Sequence, residues 1–235
     1  MSYDLQIIGL SVHFFIIILR VFGGKLMTEI FLIRHGESVA NHTQVLCGLT
    51  DLPLSETGLA QVARTAEHLK DRGISAIYSS PLKRAFQTAE ALAAVTGLEV
   101  KTVYDFREVW CGEWEGKPIP YIISRWGEDY RKFVDCDETL KNGGGESLID
   151  GYARFFPAMK EIAEKEDGRK IAVTAHAGII RAFCGYASGG RPGDLQYMAN
   201  AAYAHIFYRD GKFDIAEYDV NGFREGLVTK MTFIV

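Results

Sequence analysis

Short apolar runs alternate with amphipathic helical patterns through the first half of the chain, and this alternation constrains the fold more than any other feature. The runs Ile30–Ile33, Ile74–Tyr78 and Leu98–Tyr104 have the length and polar boundaries of buried strands. Between them, residues 59–69 and 82–95 repeat apolar side chains at helical spacing. Such an alternation is typical of a parallel sheet with right-handed crossovers and helices on both faces. The sequence therefore predicts an α/β fold, a three-layer α/β/α sandwich.

The second half of the chain departs from this simple alternation. Residues 118–140 are aromatic and charged and predict a helical insertion. A helical pattern over Leu148–Lys165, a strand at Lys170–Thr174 and a helix over Ala177–Ala187 then resume the alternation. Two apolar runs around Asp210-Gly211 predict a hairpin. We therefore expect a mostly parallel central sheet that ends in an antiparallel C-terminal hairpin.

The composition is that of a globular domain with its own core. The chain has 235 residues, of which 48% are hydrophobic and 24% charged, and this is enough for one large domain. Its formal net charge of −4 gives no global basic field, which argues against a nucleic-acid partner. The four cysteines have no metal-ligand spacing, and we interpret them as the reduced cysteines of a cytoplasmic protein.

The N-terminal residues 1–26 are set apart from the rest. They are strongly apolar from Ile7 to Phe22, but polar interruptions leave a stretch shorter than the roughly 20 residues that a membrane-spanning helix needs. Three interpretations follow, in order of preference: an extension upstream of a natural start at Met27, a membrane-associating helix, or a helix packed on the domain. We therefore predict an apolar extension, 1–26, followed by a single domain, 27–235. Any membrane association would run through the extension alone.

Polar clusters stand where the apolar runs end. Arg34 and His35 follow the first run, Arg84 follows the second, Glu108 follows the third, and His176 follows the fourth. The carboxyl ends of parallel strands meet at one edge of the sheet, where open α/β sheets place their ligands. We therefore expect these side chains to form one site.

The residue types in these clusters suit a dianionic phosphate group. Arg34 and Arg84 could grip its oxygens through paired hydrogen bonds. The helix that starts at Ala177 offers backbone N–H groups and the positive end of its dipole. The sequence contains no P-loop, Asp-x-Asp pair or His-x-His cluster that would bind a metal there. The sequence therefore predicts a phosphate site that uses neither a metal nor a cofactor.

Four motifs occur in a fixed order along the chain. They are Arg34-His35-Gly36-Glu37-Ser38 with Asn41; Ser80-Pro81-Leu82-Lys83-Arg84-Ala85 with Thr88-Ala89; Glu108 followed by Gly112-Glu113-Trp114-Glu115-Gly116; and His176-Ala177-Gly178. Together they resemble the histidine phosphatase superfamily, also called the phosphoglycerate mutase-like family. The resemblance covers about residues 28–218.

The resemblance implies a role for each residue around the phosphate. His35 would attack phosphorus through one ring nitrogen while the other nitrogen donates to a backbone carbonyl. Arg34, Arg84 and His176 would surround the transferring phosphoryl group. Asn41 would add a neutral hydrogen bond to the phosphate. The function implied is the hydrolysis of a phosphate monoester through a phosphohistidine.

Glu108 resembles the general acid of the family. That residue protonates the departing alkoxide and then, as a base, activates the water that cleaves the phosphohistidine. The residues themselves leave an alternative open, in which Glu108 is a salt-bridge partner of Arg107 or Arg84. Glu113 and Glu115 are also close enough in sequence to be confused with it.

The same apparatus could return the phosphoryl group to a bound substrate, as a mutase does. Mutases of the family resemble one another in an Asn-Glu-Arg-His-Tyr-Gly segment at the acid and in an Arg-Arg pair within a longer insertion that follows. This chain has Arg107–Gly112 in the first place, no adjacent Arg-Arg, and a short span from Glu108 to Ser147. These departures favour hydrolysis. Phosphoglycerate mutase-type transfer is the alternative, and a non-catalytic module that binds a phosphorylated ligand is a minor one.

An apolar wall with scattered cations is expected to hold the organic part of the substrate. Its predicted members are Trp110, Ile119, Tyr121, Trp126 and Tyr130, with Lys117 and Arg125. Such a wall suits a small organic phosphate monoester, for example a sugar phosphate or a nucleotide-derived one. It selects neither a single substrate nor an oligomeric state.

Overall fold

Six strands form one sheet in the computed structural model, which describes residues 26–221. Residues 1–25, nearly all of the predicted extension, lie outside the described residues, so the boundary between 1–26 and 27–235 stays a prediction. The strands are β1 (Thr28–Arg34), β2 (Ala76–Ser79), β3 (Val100–Thr102), β4 (Lys170–Ala175), β5 (Tyr203–Arg209) and β6 (Lys212–Val220).

The strand order across the sheet is β3-β2-β4-β1-β5-β6. The first four strands in that order are parallel neighbours, whereas β5 runs antiparallel to β1 and pairs with β6 in a hairpin. The predicted mostly parallel sheet with an antiparallel C-terminal hairpin is confirmed. Because β5 is antiparallel, its first residue, Tyr203, lies opposite Ile33 near the end of β1. The chain that precedes β5 therefore arrives at the edge where the parallel strands end.

Six helices of the described residues surround this sheet. They are α1 (Val39–His42), α2 (Glu56–Leu69), α3 (Lys83–Thr96), α4 (Ile119–Val134), α5 (Leu148–Lys165) and α6 (Ala177–Ala187). Their starts follow ordinary capping chemistry: the Ser55 hydroxyl accepts the N–H of Gly58, and Ser147 forms a reciprocal capping box with Asp150.

The alternation of side chains along β1 divides the core into two layers. Phe31 and Ile33 point to one face and pack with Leu69 of α2 and Leu92 of α3. Ile30 and Leu32 point to the other face, where buried side chains of α5 and α6 cover them, among them Phe155, Met159 and Phe183. Helices therefore cover both faces of the sheet, and the predicted three-layer α/β/α sandwich is confirmed.

The insertion predicted at 118–140 is helix α4 and the turn after it. The helix bends at Trp126, whose backbone has non-helical angles of φ −136 and ψ 43. Its inner side packs around the buried Trp114, which meets the rings of Trp126, Tyr130 and Phe133. Side chains from both sides of the bend, among them Ile122 and Tyr130, pack into this one cluster.

One strand is much shorter than its sequence predicts. The apolar run Leu98–Tyr104 forms a strand only at Val100–Thr102, and Tyr104–Phe106 turns into a 3-10 helix. The strand lies at the sheet edge with β2 as its single neighbour, so fewer backbone hydrogen bonds hold the chain extended there. Among residues 26–221, no helix combines the length and the apolar character needed to cross a membrane.

Candidate active site

His35 lies immediately after β1, between the end of β4 and the start of β5. Its backbone N–H donates to the Ala175 carbonyl, and its own carbonyl accepts the N–H of Ala201. The ring Nδ1 lies 2.7 Å from the carbonyl oxygen of Gly36, so Nδ1 carries the proton and Nε2 keeps its lone pair. The side chain is buried. The strand end thus presents a fixed imidazole with one basic nitrogen.

Gly36 is required because α2 approaches this turn closely. A Cβ on Gly36 would lie 2.7 Å from both the Gly58 carbonyl oxygen and the Val62 side chain. The Gly36 N–H donates to Thr88 on α3 at 3.2 Å. Two helices therefore lock the backbone that follows His35.

His176 faces His35 from the end of β4, with 5.2 Å between the two ring centroids. Its Nε2 lies 2.8 Å from the Ser80 hydroxyl. Its Nδ1 is buried and has no hydrogen-bond partner among residues 26–221. A buried ring nitrogen without a partner is costly, and an oxygen atom of a bound anion could satisfy it.

Both imidazoles are held in their neutral form. Burial and the nearby charges of Arg84 and Arg34 lower the pKa of His35 well below its ordinary value. Burial, Arg84 and His35 lower the pKa of His176 in the same direction. Neutral imidazole is the nucleophilic form, so His35 is prepared to attack at neutral pH.

Arg84, in the first turn of α3, is anchored by the loop 48–50. Its Nη1 donates to the Thr50 carbonyl at 3.0 Å and its Nη2 to the Gly48 carbonyl at 2.7 Å. Glu115 holds that loop from the other side. Its carboxylate accepts the N–H groups of Gly48, Leu49 and Thr50 and the Thr50 hydroxyl. Although burial acts to raise it, these hydrogen bonds lower the pKa of Glu115, which therefore supports Arg84 as a carboxylate.

Arg34 is buried against the segment 197–202, which precedes β5. Its Nη1 donates to the Met198 carbonyl, and its guanidinium carbon lies 4.8 Å from the centre of the Tyr197 ring. Our sequence reasoning missed this segment. The predicted C-terminal hairpin could have pointed to it. If the first strand of that hairpin pairs antiparallel with β1, the residues just before that strand must lie at the edge of the sheet where β1 ends.

Asn200 belongs to the same segment and joins His35 to Asn41. Its Nδ2 lies 3.2 Å from the His35 carbonyl and 3.2 Å from Asn41 Oδ1. The backbone N–H of Ser38 donates to the same Oδ1. Because Asn41 Oδ1 already accepts these hydrogen bonds, only the Nδ2 group of Asn41 can bind a ligand, and it can do so as a donor. Within the described chain that group has no protein acceptor.

The Glu108 carboxylate lies at the N-terminus of α6. It accepts the N–H groups of Gly178 at 3.0 Å and Ile179 at 3.1 Å, and that of Val109 at 2.9 Å. A Cβ on Gly178 would lie 2.8 Å from the nearer oxygen of Glu108, so a larger residue here would displace the carboxylate. No ion pair of Glu108 with Arg107 or Arg84 is present in the described part of the chain.

The start of α6 therefore differs from the sequence prediction. We expected several free N–H groups there for a phosphate, but those of Gly178 and Ile179 already donate to Glu108. The N–H of Ala177, the first residue of the helix, has no protein acceptor among the described residues. The Glu108 carboxylate, not a ligand, accepts most of the free N–H groups at this helix terminus. A carboxylate can do so because, like a phosphate, it is an anion that the positive end of the helix dipole attracts.

Arg154 on α5 holds the segment that carries Glu108. Its two Nη groups donate to the carbonyls of Asp105, Arg107 and Glu108 at 2.7 to 2.8 Å. Its Nε and one Nη also donate to the two oxygens of Glu146, which accepts the Trp110 N–H as well. One arginine thus fixes three backbone carbonyls in the short segment that ends at the acid.

A cavity of about 230 Å³ opens beside Glu108. Its lining is mainly apolar and thiol groups, with a few polar side chains: Leu46, Cys47, Val109, Cys111, Phe133, Val134, Cys136 and Leu148, with Glu108, Asp137, Asn142, Gly178, Arg181 and Tyr197. The predicted wall is therefore wrong. Trp110 and Tyr121 are about half exposed to solvent, and Tyr130 packs on Trp114 instead. The residues of α4 that line the cavity are Phe133 and Val134, at its C-terminal end.

The remaining site prediction concerns metals. Within residues 26–221, no three His, Cys, Asp or Glu side chains are grouped so that they could hold a metal ion. The structure thus brings Arg34, His35 and His176 together with Arg84, and places Glu108, Asn41 and Ala177 around them.

The family model of the histidine phosphatase superfamily (branch 1) matches residues 30–221. The chain therefore belongs to the histidine phosphatase superfamily. It is 40% identical over 159 residues to phosphoglycerate mutase-like protein 4 of Arabidopsis thaliana. The aligned region covers 65% of this chain and 68% of that protein. It is 33% identical over 192 residues to a metal-independent phosphoserine phosphatase of the same plant, with 80% of each chain covered.

A solved structure gives the same assignment. The fold matches a mycobacterial glucosyl-3-phosphoglycerate phosphatase solved with VO3, at a TM-score of 0.74 and 28% identity. The match covers 81% of this chain and 98% of that one. The predicted family and the predicted enzyme class, a histidine phosphatase, are confirmed.

Proposed function

We propose that this histidine phosphatase hydrolyses monoesters of small organic phosphates through a phosphohistidine on His35, without a metal ion. One observation carries the proposal: the Nδ1 of His35 is committed to the Gly36 carbonyl, so Nε2 is a basic nitrogen beside Arg34, Arg84 and His176. A neutral imidazole surrounded by two cations suits attack on an anionic phosphorus centre.

In the first step, the Nε2 lone pair of His35 forms a bond to phosphorus and the bond from phosphorus to the ester oxygen breaks. The protonated carboxyl group of Glu108 gives its proton to that oxygen, and the alcohol leaves. Arg34, Arg84 and His176 stabilise the equatorial oxygens, whose charge is largest in a loose transition state. Asn41 and the Ala177 N–H supply neutral hydrogen bonds.

In the second step, water attacks the phosphohistidine. The Glu108 carboxylate takes one proton from the water, the bond between phosphorus and Nε2 breaks, and inorganic phosphate leaves. His35 returns to its neutral form and Glu108 to its protonated form, so the cycle closes with no net change in the enzyme. The positions of the two residues support this division of roles, since His35 is buried and Glu108 borders the cavity.

The names of the relatives support hydrolysis of small phosphorylated molecules. Two of the proteins described above are named as phosphatases, one for phosphoserine and one for glucosyl-3-phosphoglycerate. A cavity of about 230 Å³ also suits a small leaving group, because sites for drug-sized ligands usually span about 300–1,000 Å³.

Mutase-type transfer is the second candidate, and one relative favours it. The most identical of the relatives described is named phosphoglycerate mutase-like. The chain, however, has no adjacent Arg-Arg and only a short span from Glu108 to Ser147. We expect hydrolysis to predominate for this reason.

A paired assay tests the proposal. Release of inorganic phosphate from a panel of phosphomonoesters is measured beside interconversion of 2- and 3-phosphoglycerate, with and without EDTA. We expect EDTA-resistant phosphate release, its loss in His35→Ala, and little interconversion. Interconversion faster than hydrolysis would favour the mutase. Activity that EDTA removes, or that His35→Ala retains, would contradict the mechanism.

A further inference from the structure

The ring of His176 has one proton to place on two nitrogens whose surroundings differ. Burial and the charge of Arg84 lower the pKa of this imidazole, so at neutral pH it is uncharged and carries a single N–H. Its Nε2 lies 2.8 Å from the Ser80 hydroxyl, whereas its Nδ1 has no hydrogen-bond partner among residues 26–221. The position of the proton therefore decides whether Nδ1 is a donor or a lone pair.

Ser80 is held firmly beside His176 by the sheet. It directly follows β2 as His176 directly follows β4, and these two strands are neighbours. The backbone N–H of Ser80 donates to the Thr174 carbonyl at 3.0 Å, and its carbonyl accepts the Ser79 hydroxyl at 2.7 Å. Neither Ser80 nor His176 is exposed to solvent. The contact between the hydroxyl and the ring is thus fixed in a buried place.

The hydrogen bonds of the Ser80 hydroxyl show which way its hydrogen points. A hydroxyl has one hydrogen to donate and two lone pairs that accept. The Ser80 oxygen accepts the N–H of Leu82 at 3.3 Å, and within residues 26–221 its hydrogen has one acceptor, Nε2 of His176. If Nε2 carried the ring proton, the hydrogen of a fully buried hydroxyl would have no protein acceptor, which is costly. The hydroxyl therefore donates to Nε2, and the ring proton lies on Nδ1.

A bound phosphoryl group is the natural acceptor for this N–H. The rings of His35 and His176 are 5.2 Å apart between their centroids, so an anion bound at His35 Nε2 also borders the His176 ring. Nε2 of His176 is occupied by Ser80, which leaves Nδ1 for the anion. A lone pair on Nδ1 would repel an anionic oxygen, whereas an N–H binds it.

We infer that Ser80 is a positioning residue that fixes the tautomer of His176, so that neutral His176 donates a hydrogen bond from Nδ1 to the phosphoryl group. This inference rests on the proposed function, because it places the phosphoryl group at His35. Ser80 acts through the ring and does not touch the phosphate. Arg34 and Arg84 then supply positive charge to the site, and His176 supplies a directed neutral donor.

Nuclear magnetic resonance reports the tautomer directly. In protein with isotope-labelled histidine, a protonated and an unprotonated ring nitrogen have different shifts, and the His176 signals are those that disappear in His176→Ala. In the wild type at neutral pH we expect the proton on Nδ1, and in Ser80→Ala we expect it to be shared between both nitrogens. Ser79→Ala removes a neighbouring buried hydroxyl whose hydrogen bonds go to Ser80 and Thr174 instead of the ring. It is the matched control and should keep the wild-type signals.

Titration with inorganic phosphate measures the consequence for binding. Ser80→Ala should raise the dissociation constant of phosphate about 2- to 10-fold, the worth of one hydrogen bond, and Ser79→Ala should leave it close to that of the wild type. In the His176→Ala background, Ser80→Ala should have no further effect, because Ser80 acts through His176. A further loss in that background would show that Ser80 contacts the anion itself and would overturn the positioning role.

Three other results would overturn the inference. They are a wild-type proton on Nε2, an unchanged Nδ1 tautomer in Ser80→Ala, or equal losses of phosphate affinity in Ser79→Ala and Ser80→Ala. If Ser80→Ala does not fold, Ser80→Cys takes its place, because a thiol is a weaker donor than a hydroxyl. Neither measurement needs turnover, so an absence of phosphate release would contradict the proposed function and leave this inference standing.

Discussion

Three glutamates close together in sequence have different roles because their surroundings differ. Glu108 lies on the N-terminus of α6 and borders the cavity, whereas Glu115 accepts hydrogen bonds from the loop that anchors Arg84. Glu113 is exposed. From the sequence, only the resemblance to the family could select Glu108 as the acid. The hydrogen-bond partners that distinguish Glu108 from Glu115 belong to distant segments, residues 178–179 and 48–50.

Substitution of the proposed acid should depend on the leaving group. Glu108→Gln keeps the shape of the side chain but removes its proton, and general acid catalysis is worth about 10²–10⁴-fold. We expect a loss of that size in kcat/KM, which reports the phosphorylation step, for alkyl phosphates and a smaller loss for p-nitrophenyl phosphate, whose phenolate leaves without protonation. Steady-state kinetics with both ester types make the comparison.

The exposed Glu113 supplies the control for this experiment. Glu113→Gln is expected to keep wild-type kinetics with every ester. If Glu113→Gln instead carried the dependence on the leaving group and Glu108→Gln did not, the assignment of the acid would have to change.

At the scale of elements, Arg154 joins α5 to the segment that carries the acid. It contributes no group to the phosphate site, yet it fixes the carbonyls of Asp105, Arg107 and Glu108 and pairs with Glu146. A small displacement of a catalytic group can cost up to about 10²-fold in rate. Arg154 is therefore a positioning residue for Glu108.

Removal of this support should resemble a weaker form of the Glu108 substitution. Arg154→Met is expected to slow alkyl phosphate hydrolysis more than p-nitrophenyl phosphate hydrolysis, and to lower the free energy of unfolding by about 1–3 kcal/mol. Arg169→Met removes another arginine–glutamate pair, with Glu166, and should change stability without the kinetic pattern. Equal losses for both ester types in Arg154→Met would show that it supports the fold alone.

Elements with local signals could be predicted, and those that depend on distant contacts could not. The helices α5 and α6 have the predicted bounds because a capping serine or a strand-end motif marks the start of each. The substrate wall was wrong because Phe133 and Val134 line the cavity, whereas Tyr130, one turn earlier on α4, packs on the distant Trp114. Periodicity shows which residues of a helix are apolar but not which of them border a cavity. The segment 197–202 was missed because its contacts with Arg34, His35 and Asn41 join residues more than 150 positions apart in the chain.

For the whole molecule, the sequence predicted the layers and the direction of most strands but not the order of the strands. The order β3-β2-β4-β1-β5-β6 pairs segments far apart in the chain, such as β1 with β4 and β5. That order brings His35 and His176 together at the edge where β1 and β4 end, and both imidazoles are buried there. Their burial links the site to the stability of the fold.

Acid should destabilise the protein through these two histidines. In the unfolded chain a histidine titrates near pH 6.5, whereas in the fold the pKa values of His35 and His176 are lowered. Below about pH 6.5 and down to the lowered values, the unfolded state binds more protons, so stability falls as pH falls. Each histidine contributes at most about 1.4 kcal/mol per pH unit.

Denaturant unfolding at a series of pH values without phosphate measures this slope. The double variant with His35→Asn and His176→Asn should show a shallower dependence on pH than the wild type between about pH 5 and 7. An unchanged slope in the double variant would assign the acid sensitivity to other groups.

The most direct test of the central claim is to trap the phosphohistidine. In Glu108→Gln, p-nitrophenyl phosphate can phosphorylate His35 without an acid, but hydrolysis of the intermediate lacks its base, so the phosphoenzyme should accumulate. Rapid quenching under alkaline conditions, followed by peptide mass spectrometry, measures it. We predict one added phosphoryl group on the peptide that contains His35, absent when His35→Ala is combined with Glu108→Gln. Burst release of p-nitrophenol with no phosphate on that peptide, or with phosphate on another residue, would contradict the account.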